Sequence, residues 1–203
     1  MVSDKIVDII LRLYWGAEIK GEIMASFDKK INNCARLDWQ ILINGSISLY
    51  YDRAILEEDM QWLKSSGYQL YIFDFHMIKT REGFHKKAKE EFKFPDYYGE
   101  NISAFSDCLM FDLPIPVDGG VAIVLKGFDE YCRIDGDYAH EILERLDENS
   151  RKQMLFGDRF LTLMQIDDKN MLIKEVGQHS IILNLSERQA FSALARAEFE
   201  NKL

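Results

Sequence analysis

Two kinds of apolar pattern alternate along the middle of this chain. Val121 to Leu125 and Phe160 to Met164 are unbroken apolar runs, the pattern of central strands in a parallel sheet covered on both faces. Tyr68 to Phe75 reads as a further strand. Between these runs the apolar positions fall at helical spacing. Leu56, Met60 and Leu63 recur along one helix, with Gly67 where a C-terminal cap belongs. Helices are also predicted over Thr80 to Phe92, Asn101 to Met110 and Asp137 to Leu155, and a last strand over Arg159 to Ile166. Strands alternating with helices predict an α/β protein, a small parallel β-sheet with helices packed on it.

The two ends of the chain read differently. Trp39 to Ile43, an Asn44-Gly45 pair and Ile47 to Tyr51 predict two strands joined by a tight hairpin turn. After Ile166, the runs Met171 to Val176 and Ser180 to Leu185 predict antiparallel strands turning around Gly177, a β-hairpin at a sheet edge. Ser186 with Gln189 reads there as a capping box opening a final helix. The expected organisation is an N-terminal extension over 1–67, a core domain over 68–166 and a C-terminal extension over 167–203. Ile6 to Trp15 fits either a helix or a strand. It also carries Asp4 and Asp8 in or before the apolar run and has no small-residue cleavage pattern, so it is not read as a secretion signal. No stretch has the roughly 18 apolar residues of a membrane span.

Charge sharpens the picture in one place. The net charge of -9 argues against nucleic acid as a partner and for basic proteins. Between Phe94 and Leu125 there are five acids (Asp96, Glu100, Asp107, Asp112, Asp118) and neither Lys nor Arg. Inside this stretch Pro95 pushes Phe94 away from helix and stops the preceding one near Lys93. Gly99 suits a tight bend, and Asn101 is placed to cap the next helix. On that helix Ile102, Phe105 and Leu109 form an inward stripe, while Tyr97, Ser103, Ser106 and Asp107 are expected to face out and Tyr98 to pack inside.

The run PDYYGENISAFSDCL resembles the binding loop and second helix of the barstar family, intracellular inhibitors of the ribonuclease barnase, whose pattern is roughly P-[DE]-Y-[YF]-G-x-N-x-D-A-[LF]-x-D-C-L. The flanking strand, basic helix and second strand fit as well, so that the resemblance spans about residues 68–166. It implies a barstar-like fold and inhibition by charge mimicry, with Asp107 matching the principal aspartate that faces the enzyme's cationic groups. Tyr97, Gly99 and Asn101 match loop positions at the same contact. Two departures stand out: Ser103 replaces a second aspartate, and Ser106 replaces a tryptophan. A further acidic contact from a later helix has no aligned counterpart; Glu144, Asp147 and Glu148 are its candidates.

The expected partner is therefore a basic, barnase-like ribonuclease toxin bound through Tyr97, Gly99, Asn101, Ser103, Ser106 and Asp107. No cofactor, nucleic acid or membrane is expected, and the oligomeric state is left open. The competing class is an interaction module of the same fold that binds a non-nuclease partner. Catalysis is not expected. His76, His85, His140 and His179 are scattered, no phosphate-binding or nucleophile motif is present, and nothing convergent supports a carboxylate pair such as Glu100 and Asp107 as acid and base. Cys34, Cys108 and Cys132 form no C-x-x-C pair, which suits a reduced, cytoplasmic setting, and Cys108 is expected to be a buried small apolar group.

Overall fold

The computed structural model describes residues 26–29 and 33–200, with side chains through residue 193. The Ile6 to Trp15 run lies outside the described residues. Among the described residues, seven helices and five strands follow in chain order: α1 (Leu37–Leu42), β1 (Ile47–Tyr50), α2 (Arg53–Ser65), β2 (Tyr68–Asp74), α3 (Arg81–Phe92), α4 (Ile102–Phe111), β3 (Gly120–Lys126), α5 (Phe128–Ile134), α6 (Gly136–Met154), β4 (Phe160–Gln165), β5 (Ile182–Leu183) and α7 (Leu185–Glu200). The strands form one sheet in the order β2-β3-β4-β1-β5, parallel throughout. This is the α/β architecture that the alternating pattern predicts.

The unbroken apolar runs have a direct cause. β3 lies between β2 and β4, and successive side chains of a strand point to opposite faces. Val121, Ile123 and Leu125 enter one core with Phe84, Phe92, Phe105, Leu109, Ile142 and Leu146 from α3, α4 and α6. Ala122 and Val124 enter a second core with Leu161 and Leu163 of β4, Leu56, Met60 and Leu63 of α2, and Ile41 of α1. Helices thus cover both faces. The sheet and its two cores continue across residues 67 and 166. Where the chain enters β3, Gly119 lies against the backbone of Gly67, and a Cβ there would come within 1.9 Å of the Gly67 carbonyl oxygen.

Two local expectations are corrected. Rather than forming the first arm of a hairpin, residues 39–42 lie in α1, with Ile43 as its C-cap. Its buried positions are Asp38 and Ile41, three apart, whereas Ile43, which a strand alternation would bury beside Ile41, is 65% exposed. Both edges of β1 are already taken by β4 and β5, so no edge is left for a hairpin partner. Asp38 is fully buried and is held by Arg36 at 2.7 Å, the Tyr68 hydroxyl at 2.8 Å and Arg159 at 3.2 Å.

The C-terminal hairpin contracts to one antiparallel bridge, Val176 to His179, around Gly177. β5 then joins the sheet edge as a parallel strand, with Ser48 opposite Ile182 and Leu49 opposite Leu183. The cap of α7 is Asn184, whose Oδ1 accepts from the Ser186 and Glu187 N–H groups at 2.9 and 3.3 Å. Glu187 is buried and accepts from the backbone N–H groups of Tyr51 and Asp52, tying α7 to the end of β1.

Candidate binding face on α4 and its loop

α3 ends where Pro95 requires it to. Lys93 takes a left-handed conformation as the C-cap, and the Pro95 carbonyl accepts from the Tyr98 N–H at 3.0 Å to close a turn. Asn101 then caps α4: its Oδ1 accepts from the Ala104 N–H at 3.0 Å, and its Nδ2 donates to the Gly99 carbonyl at 3.1 Å. One side chain therefore fixes both the bend and the first turn of the helix.

The inner side of α4 is anchored by Phe105, whose ring centroid lies 5.1 Å from Phe84 and 6.1 Å from Phe92. Cys108 and Leu109 are buried beside it. Burial pushes the Cys108 thiol up to about 12, so it sits in the core as a protonated thiol. From α6, Gln153 Nε2 donates to the Met110 carbonyl at 3.2 Å, and Asn149 Nδ2 donates to Ser106 Oγ at 2.9 Å.

Ser106 was expected to face out and does not; it is only 9% exposed. Two neighbours seat α4, the aromatic core and α6, so its buried arc is wider than a single stripe. Asn149 occupies the space that a large side chain at 106 would need.

The outer side carries Asn101, Ser103, Asp107 and Phe111, all exposed. Neither Asp107 nor Glu100 makes a hydrogen bond or ion pair with another described residue. Tyr97 is 72% exposed, and its hydroxyl donates to Asp112 Oδ1 at 2.5 Å. That bond to a carboxylate pushes the phenol up to about 12 and fixes the ring at the C-terminal end of α4. Phe111, 67% exposed, was not singled out from the sequence. Its place four residues after Asp107 was the available signal.

Tyr98 is buried as expected, and the reason lies in α3. Its hydroxyl bonds His85 Nδ1, while His85 Nε2 bonds the Tyr138 hydroxyl at the start of α6. A neutral imidazole has one donor and one acceptor, so one phenol donates to it and the other accepts from it. Burial lowers the His85 pKa. With the folded value depressed, this contribution to stability is present above the ordinary value of 6.5 and is lost as pH falls through the folded value. His76 works in the opposite sense. Its hydrogen bond to Asp74 raises its pKa, so its contribution is full below 6.5 and is lost as pH rises through the folded value. Denaturation midpoints measured on both sides of pH 6.5 should therefore show less loss on acidification in His85→Gln than in the parent chain, and more in His76→Gln. Identical slopes in all three proteins would refute this assignment.

The later-helix acids are committed elsewhere. Asp147 is buried, accepting from Ser46 Oγ at 2.8 Å and facing Arg151 at 3.1 Å. Glu148 pairs with Arg145 and Lys152, and Glu144 accepts from the Gly177 N–H at 3.2 Å. Among the described residues no group of three or more His, Cys, Asp or Glu is placed to hold a metal ion. None of the described helices is long and apolar enough to cross a membrane.

Fold and face together define the class: a parallel α/β protein that displays an acidic, capped helix at its surface. Two comparisons give its family. The sequence model described as Barstar (barnase inhibitor) matches residues 68–165. A protein of Bacillus subtilis (strain 168) named "Putative ribonuclease inhibitor YrdF" is 35% identical over 77 residues, covering 38% of this chain and 80% of that protein. The chain belongs to the barstar family.

Proposed function

We propose that this protein inhibits a basic, barnase-type ribonuclease by placing α4 and its preceding loop in the enzyme's active-site cleft. The exposed carboxylate of Asp107, which has no hydrogen-bonding or ionic partner among the described residues, supports this reading most directly. A carboxylate desolvated against guanidinium and ammonium groups makes strong charge-assisted hydrogen bonds, and it takes the place of the substrate phosphate. Tyr97 packs on the enzyme surface; Gly99, Asn101 and Ser103 bring the loop backbone and first helical turn into contact. Ser106 contributes from inside by seating α4 on α6. The chain acts in the cytoplasm as an immunity protein for the cell that makes or meets the toxin, and it performs no catalysis of its own.

Titrating barnase with this protein and following RNA cleavage tests the reading. Inhibition should weaken at high salt, because opposed charge fields promote the encounter and salt screens them. Binding that leaves cleavage untouched would favour a plain interaction module, and no binding at either salt concentration would overturn the barnase-type assignment.

A further inference from the structure

α4 carries a second outward group whose chemistry the carboxylate does not explain. Ser103, Asp107 and Phe111 follow one another at four-residue intervals and share one face of the helix. With a rise of about 1.5 Å per residue, the Phe111 position lies roughly 6 Å beyond Asp107 along the axis. Phe105 is buried and position 106 is a serine under Asn149, so Phe111 is the exposed aromatic residue of α4. Tyr97, held by the carboxylate of Asp112, the residue after Phe111, places a second exposed ring at the same helix end. A phenyl ring left in water gains by being covered, and an exposed ring beside a carboxylate that is unpaired among the described residues suits a cleft whose cationic centre is bordered by an apolar or stacking wall.

A ribonuclease cleft has that composition. It must hold a phosphate at cationic groups and an unstacked base against an aromatic or guanidinium plane next to it. We infer that Phe111 is a specificity-determining contact of the same interface, its ring taking the place of the base while Asp107 takes that of the phosphate. α4 is then a mimic of one nucleotide rather than of an anion alone. The inference rests on the inhibitor reading and adds to it a contact that does not depend on charge. Such a contact discriminates between ribonucleases by the shape of their base-binding wall.

The test is the dissociation constant for barnase of the parent chain, Phe111→Ala, Phe111→Tyr and Asp107→Asn, at low and high salt, with thermal midpoints alongside. Phe111→Ala should weaken binding about tenfold or more, the loss usual for an interfacial aromatic anchor, and by the same factor at both salt concentrations. Its thermal midpoint should stay unchanged because the ring is exposed. Phe111→Tyr should keep most of the affinity, and Asp107→Asn should flatten the salt dependence. If Phe111→Ala binds as tightly as the parent while Asp107→Asn does not, the base-mimic inference is overturned and the inhibitor reading stands. If Phe111→Tyr loses as much as Phe111→Ala, the ring does not lie in a stacking slot and the inference also falls. A parent chain that does not bind barnase overturns both readings.

Discussion

Asp107→Ala is expected to abolish most inhibition of a barnase-type ribonuclease while leaving the free protein as stable as before. The side chain is exposed and has no hydrogen-bonding or ionic partner among the described residues, so the folded state loses almost nothing with it. In the complex the enzyme's cationic groups would be buried without their counter-charge. Truncating one side of a buried, hydrogen-bonded charge pair costs about 2–5 kcal/mol, a range to which barnase and barstar themselves contributed. That is roughly thirty-fold to several-thousand-fold in the dissociation constant. Residual RNA cleavage against inhibitor concentration measures it, with a melting curve as control. Retained inhibition at the parent's concentration would remove the phosphate-mimic assignment.

Phe105→Ala is expected to be the most damaging change to the folded state near this face. The ring is buried between α3 and α4, with Phe94 6.3 Å away in addition to Phe84 and Phe92. Deleting a buried phenyl ring removes its transfer free energy and leaves a cavity, together about 3–5 kcal/mol. A domain stable by about 5–15 kcal/mol does not absorb such a loss easily. The denaturant midpoint should fall well below that of the parent, and inhibition should weaken because α4 loses its seat. A midpoint within error of the parent would mean that α4 is held chiefly by α6.

The two residues differ in what makes them matter, and the same division runs through the chain. Pro95, Gly99 and Asn101 act within a few residues of themselves. The end of α3, the bend and the start of α4 are therefore legible in the sequence. The exposure of Tyr97 and the burial of Tyr98 could also be read from the sequence; the His85–Tyr138 partnership that holds Tyr98 could not, since it joins residues 53 positions apart. Phe111 falls at the same four-residue spacing, but whether an apolar residue at the end of α4 is covered depends on what packs there, which periodicity does not report.

By itself, the sequence determined the strands and, apart from α5, the helices in the middle of the chain, that the sheet there is parallel, and that an acidic helix begins at a capped turn. These follow from side-chain periodicity and from backbone preferences that act locally. Tertiary structure alone decided that residues 39–42 are helical, that β5 runs parallel to β1, that Ser106 is covered, and that Glu144 and Asp147 are bonded to residues far along the chain. Each of those outcomes depends on what lies opposite: an occupied strand edge, a neighbouring helix or a distant hydrogen-bond donor. A short apolar alternation or an isolated carboxylate is compatible with several neighbours, and only the packed fold selects one.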